Sequence, residues 1–122
     1  MHELSIANSI LNIVLEEKRI KNLPIIKAIG LRIGTLSGIL PDALEFSFDA
    51  IKKETALENT RLEISEVPVR AGCNNCGEIF SVKDLLFSCP HCQSVSIEVN
   101  QGQEMEIVYI DVEDETELVN EQ

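Results

Sequence analysis

The stretch CNNCGEIFSVKDLLFSCPHC, residues Cys73 to Cys92, holds every cysteine in the chain. It reads as two knuckles, Cys73-Asn74-Asn75-Cys76-Gly77 and Cys89-Pro90-His91-Cys92, with twelve residues between Cys76 and Cys89. Two residues between thiolates let one tight turn aim both sulfurs at a single ion, and Gly77 permits the unusual dihedrals of such a turn. Two turns, each on a hairpin, close a tetrahedron, and four thiolates with no open position are the pattern of structural zinc. A rubredoxin-type iron site uses the same ligand set, and spacing does not separate the two. Thioredoxin-like chemistry needs one such pair beside a βαβ pattern rather than two facing pairs. A nucleic-acid ribbon is disfavoured, because Lys83 is the single basic residue between Gly72 and Gly102. The large apolar residues here are few (Ile79, Phe80, Val82, Leu85, Leu86 and Phe87), so metal must supply much of the folding free energy, on the order of 10 kcal/mol.

Outward from the cysteines, residues 72–101 form the zinc-ribbon-like module, with Val95, Ile97 and Val99 as a strand inside it and Gly102 as its exit. Residues 61–70 lead in as a strand whose alternation slips. Leu62 and Ile64 share one parity and Val67 and Val69 the other, which a bulge or an exit from the sheet near Glu66–Pro68 explains. Residues 104–112 lead out as another strand. Pro41-Asp42 opens a helix to about Glu54, with Leu44, Phe48 and Ile51 facing the sheet. Residues 25–34 alternate as a strand, with Ile25, Lys27, Ile29, Leu31 and Ile33 on the more apolar face. Residues 5 to about 20 form an amphipathic helix with a stripe of Ile6, Ile10, Ile13 and Val14, widened by Leu11 and Leu15 and ended by Asn22 and Pro24. The segment from Asp111 carries six acids and no base and is expected to fray. The fold class is therefore α+β: a mainly three-stranded sheet with two helices and an inserted zinc module. Residues 1–71 and 102–122 form one domain and 72–101 the other.

The 122-residue chain is 44% hydrophobic with four Phe, one Tyr and no Trp, so Ile, Leu and Val must build the core. Ten basic residues against 21 acidic ones give a formal charge of −11, which repels phosphate backbones and suits cation capture or a basic partner. No apolar run approaches the ~20 residues of a membrane span, and no secretory signal is visible. Clustered cysteines and no signal point to the cytoplasm.

The two histidines are His2 and His91. A histidine at position 2 is either solvated or part of a chelate. The Met1 amine, the following backbone nitrogens and the His2 imidazole can make a planar nitrogen-rich site suited to Ni(II) or Cu(II). The amine, with a reference pKa of about 8, must lose its proton first. Glu3 can add a carboxylate or a helix-dipole partner. His91, inside the second knuckle, is either an exposed turn residue or an extra ligand. No nucleophile–base pair and no phosphate loop is apparent, so no enzymatic activity is expected.

Several stretches together resemble the HypA/HybF family of nickel metallochaperones for hydrogenase maturation. They are the Met1-His2-Glu3 start, the Gly34-Thr35-Leu36-Ser37-Gly38 loop with Pro41, and Leu44-Glu45-Phe46-Ser47-Phe48. Val67-Pro68 before the cysteines, the two cysteine pairs and Gly102-Gln103-Glu104-Met105 complete the match. The resemblance implies nickel held by Met1, His2 and Glu3, and zinc held by Cys73, Cys76, Cys89 and Cys92. It further implies exchange with the GTPase HypB and delivery to the nickel–iron hydrogenase large subunit, with urease as a second client in some members. A monomer or weak homodimer is expected, with no nucleic-acid or membrane partner. In contrast to the family's usual glycine, Gln93 follows Cys92, loosening that turn while leaving the ligands intact. The alternative function is a zinc-ribbon interaction scaffold that handles no nickel.

Overall fold

The computed structural model describes residues 3–113. Its elements are α1 (Glu3–Lys21), β1 (Ile26–Gly34), a 3-10 turn (Thr35–Ser37), α2 (Pro41–Ile51), β2 (Arg61–Val67), β3 (Arg70–Cys73), β4 (Ile79–Ser81), β5 (Ile97–Gln101) and β6 (Met105–Val112). They form two three-stranded sheets, β2-β1-β6 and β4-β3-β5. In the first, β1 runs parallel to β2 and antiparallel to β6. A parallel pair cannot close through a tight turn, and α2 is the crossover between β1 and β2. The α+β class with an inserted zinc-type module is as expected.

In α1 the buried side chains are Ile6, Ala7, Ile10, Leu11 and Val14. Ile13, expected in the stripe, is 53% exposed. At 100° per residue the buried arc runs from Ile6 through Val14 to Leu11, and Ile13 falls just outside it beyond Ile6. Asn22, at φ 51°, ends the helix as a left-handed cap. The Leu23 N–H donates to the Lys18 carbonyl at 3.0 Å and the Asn22 N–H to that of Arg19 at 3.4 Å, the two bonds of a Schellman motif.

The predicted face of β1 is corrected at its start. Ile26 is 1% exposed and in the core, whereas Ile25 is 54% exposed, and Lys27 is exposed. A register shift against β6 between Ile26 and Ala28 changes parity. Ile26 therefore shares the core with Ile29, Leu31 and Ile33 despite its even spacing. Leu44 and Phe48 of α2 are fully buried in the same cluster, and Ile51 packs at its margin. The helix stops at Ile51 rather than Glu54, and Glu54 itself sits at φ 64°.

Of the two explanations for the slip in residues 61–70, an exit is the one realised. β2 leaves the first sheet after Val67, and β3 opens the second at Arg70. Pro68 lacks the N–H that would continue a ladder. The strand inside the module begins at Ile97, and Val95 is exposed outside it. The chain does not fray at Asp111: Asp111 and Val112 belong to β6, and the Glu113 N–H donates to the Ile25 carbonyl at 2.8 Å. The rest of the acidic tail lies outside the described residues. Among those described, no helix is long and apolar enough to cross a membrane.

The two sheets meet at a backbone crossing. The Gly34 N–H donates to the Glu104 carbonyl at 2.8 Å and the Leu36 N–H to the Gly102 carbonyl at 2.7 Å. A Cβ on Gly34 would lie 2.0 Å from the Gly102 carbonyl, which is why the crossing requires glycine there. Gly102 itself has φ 117°, and its Cα faces Val69. The Glu104 carboxylate accepts the Gly102 N–H at 2.7 Å. Its own backbone N–H and that of Gly102 hold this carboxyl below the usual range.

Candidate metal centre

Each cysteine knuckle is folded by its own backbone. The Gly77 N–H donates to the Cys73 carbonyl at 2.9 Å, and the Gln93 N–H donates to the Cys89 carbonyl at 2.8 Å. Both turns close through a left-handed residue, Gly77 at φ 80° and Gln93 at φ 62°. The second turn thus keeps the geometry of the first without glycine, at the steric cost that a Cβ carries in that region.

The sulfurs accept N–H bonds from inside these turns. The N–H groups of Asn75 and Cys76 point at Cys73 Sγ, each at 3.4 Å, and the N–H of His91 points at Cys89 Sγ at 3.4 Å. Asn75 Nδ2 reaches Cys92 Sγ at 3.6 Å across the pair. Donors so placed stabilise thiolate over thiol. The Cys76 N–H, opposed by burial and helped by the Asn75 N–H, lowers the Cys73 pKa to about 6. At Cys76 the Glu78 N–H pulls downward, but the water lost around its sulfur and the neighbouring thiols outweigh it and push the group up to about 12. One site thus contains a ready thiolate beside a thiol that must give up its proton to a metal.

Cross-knuckle sulfur separations are 3.6 Å for Cys73–Cys92 and 3.6 Å for Cys76–Cys89. All four sulfurs lie within 4.8 Å of one another. A zinc–sulfur bond of about 2.3 Å in a regular tetrahedron requires sulfurs about 3.8 Å apart. A disulfide needs about 2.05 Å, so the cysteines are free. The donor set and its spacing fit structural zinc. Cys73 and Cys89 are buried, Cys92 half-buried and Cys76 exposed, so the site is closed on one side by protein. β3 supplies Cys73 directly, and the Asn74 N–H is tied to the Ser96 carbonyl at 2.9 Å beside the start of β5.

His91 is exposed and outside the four-sulfur cluster. Met1 and His2 lie outside the described residues. Glu3 opens α1, and its Oε2 accepts the Leu40 N–H at 3.3 Å. Leu40 is the residue before α2 and has no side-chain cap of its own, so Glu3 supplies the acceptor there. Sequence reading missed this link between the starts of the two helices. Its one signal, an acid in a first helical turn, is too common to identify a partner 37 residues away.

A family model described as "Hydrogenase/urease nickel incorporation, metallochaperone, hypA" matches residues 1–112. The hydrogenase maturation factor HypA of Roseiflexus sp. (strain RS-1) is 40% identical over 117 residues, 95% of each chain. That of Geobacter metallireducens is 40% identical over 113 residues, 93% of this chain and 100% of the relative. The solution structure of the nickel metallochaperone HypA from Helicobacter pylori superposes with a TM-score of 0.64 at 23% identity, covering 92% of this chain and 97% of that one. A second solution structure of a HypA protein gives 0.69 at 23% identity, covering 92% and 96%. With the fold, the four-thiolate site and relatives spanning almost its whole length, this chain belongs to the HypA family of nickel metallochaperones for hydrogenase and urease maturation.

Proposed function

We propose that this protein takes up one Ni(II) ion at its N-terminus through Met1, His2 and Glu3 and delivers it for maturation of nickel–iron hydrogenase. The observation that carries the reading is the family match, which begins at Met1 and includes the Met1-His2-Glu3 triplet. In this reading the Met1 amine and the His2 imidazole are ligands, with the following backbone nitrogens completing a planar set that suits the electron count of Ni(II). The amine must shed its proton, so uptake strengthens as pH rises toward about 8. Glu3, held near the start of α2, contributes its carboxylate to the same corner. An ion held by a few N-terminal donors is exchangeable, which delivery requires. Four thiolates around zinc leave no open position, so the second site acts as a scaffold.

Residues 1–71 and 102–122 then form the nickel-handling domain and 72–101 the zinc-binding one. The protein acts by carrying metal rather than by catalysis. It works in the cytoplasm, exchanging nickel with the GTPase HypB and giving it to the hydrogenase large subunit. The formal charge of −11 favours both cation capture and a basic partner.

The test is a nickel titration of untagged protein beside His2→Ala and beside protein whose Met1 amine is blocked by acetylation. One nickel per chain, lost in both variants while the zinc stays, is the expected result. Equal nickel binding by all three would leave a zinc-ribbon scaffold as the function.

A further inference from the structure

The exposed side of α2 carries an aromatic residue that the fold does not use. Phe48 of the Leu44-Glu45-Phe46-Ser47-Phe48 stretch is fully buried, whereas Phe46 is 66% exposed. Phe46 lines a shallow depression with Asp42, Glu45, Asp49, Ala50 and Lys53. Helical spacing explains the grouping. Asp42 lies four residues before Phe46, Asp49 three after and Ala50 four after, so all three neighbour it on one face. Lys52 ion-pairs with Asp49 at 2.8 Å, but it turns inward, over the Phe48 ring and to the Thr60 carbonyl at 2.7 Å. Asp42 and Glu45 have no ion pair among the described residues. The surface is an apolar centre within a rim of net negative charge.

This charge selects the occupant. Nucleic acid and anionic membranes would be repelled. A second copy would set one chain of formal charge −11 against another. A cationic partner gains twice, through its charges at the rim carboxylates and through an apolar neighbour of those charges on the Phe46 ring. We propose that the outer face of α2 is a docking surface for a Lys- or Arg-bearing segment of a partner protein, with an apolar residue of that segment seated on Phe46. Its position suits delivery: α2 is about 16 Å long and is preceded by its cap residue Leu40, whose N–H is bound by Glu3. A partner lying on α2 is therefore close to the corner assigned to nickel.

The choice of partner rests on the nickel-delivery reading, and the experiment separates the two. Purified HypB and hydrogenase large-subunit precursor from the same source are each titrated with zinc-loaded full-length protein at low and high salt. For at least one of them, Phe46→Ala is expected to weaken binding about tenfold or more, as loss of a central aromatic anchor does. Asp42→Asn with Glu45→Gln is expected to weaken it at low salt, with the loss vanishing at high salt. Glu98→Gln, a charge removed from the exposed side of β5, should leave binding unchanged. Phe46→Leu, which keeps an apolar surface, checks that any loss is not unfolding. His2→Ala should lose nickel yet keep docking; if it never mattered to nickel, docking still stands or falls on its own. The proposal is overturned if the unaltered chain binds neither partner. It is equally overturned if the Phe46 and acid variants bind as well as the parent, or if Glu98→Gln weakens binding as much as they do.

Discussion

The first sheet is backed by two helices and a cluster of fourteen buried residues, from Ile6 in α1 to Leu62 in β2. The second buries four: Ala71, Cys73, Phe80 and Cys89, two of which belong to the four-sulfur cluster. Each sheet has three strands. Strand number therefore says little about what holds a sheet. The first removes a continuous apolar face from water, at about 25 cal/mol per Å². The second has nothing to bury on that scale: Ile79, Leu85 and Leu86 are exposed. Its order must come from the ion that four sulfurs surround. One chain thus combines a region that folds by burial with one that folds by coordination, joined at the Gly34–Gly102 crossing.

The strongest way to break the comparison is to remove zinc. Chelation, or Cys89→Ser, should cost the module on the order of 10 kcal/mol. Amide exchange across Arg70–Gln101 should become fast, while protection in α1, α2 and β1 persists. Simultaneous loss of both would show that the regions are one cooperative unit. Acid should act on the same site. Cys73 has a folded-state pKa of about 6, below the ~8.5 of an unfolded thiol. Whatever fold the metal-free knuckles retain is therefore favoured by this thiolate fully above the unfolded value and no longer once pH has fallen through 6. Zinc uptake, followed with a chromophoric chelator, should weaken over that window.

The complementary experiment damages burial. Phe48→Ala opens a cavity among Leu44, Leu57 and their neighbours and should cost about 3–5 kcal/mol of core stability. Denaturant titration would measure it, and the zinc content of the folded protein should not change. A variant that lost zinc in proportion would undo the division between the regions.

The junction comes next in size. Gly34→Ala forces a methyl group to within 2.0 Å of the Gly102 carbonyl, where the neighbour is backbone and cannot swing aside. A loss of about 3 kcal/mol is expected, the upper end of overpacking. Chemical-shift changes should appear at Leu36, Gly102 and Val69, on both sides of the crossing. Changes confined to β1 would mean that the sheets are not mechanically joined there.

The smallest effect should be a gain. Gln93→Gly relieves a left-handed residue at φ 62°, in the turn that matches Gly77 in the first knuckle. Zinc-bound protein should gain up to about 1 kcal/mol, measured as resistance to chelator. No gain would mean that the Gln93 side chain, whose Nε2 reaches the Pro90 carbonyl at 3.4 Å, offsets its own backbone cost.

Much of this molecule could be read without its structure, for identifiable reasons. The four-cysteine cluster was legible because two residues between cysteines is a local geometric requirement, satisfied within each turn. The Asn22 stop, the α2 start at Pro41 and the Leu44–Phe48 face were legible because caps and helical periodicity act over one or two turns. Errors arose where a distant strand decided the outcome. Ile26 replaced Ile25 in the core because β1 slips against β6, which comes some eighty residues later. Residues 61–70 became two strands because two different sheets claim their halves.

The amino-acid sequence by itself determined the four-thiolate site, the α+β class and the insertion of one module into the other, all properties of spacing and short-range pattern. Tertiary structure alone decided the glycine crossing that joins the sheets, the Glu3 carboxylate at the head of α2 and the exposure of Phe46 beside a buried Phe48. Each depends on which surfaces are brought together across the chain. That is settled by burial and backbone hydrogen bonding over the whole molecule, and no local stretch of residues encodes it.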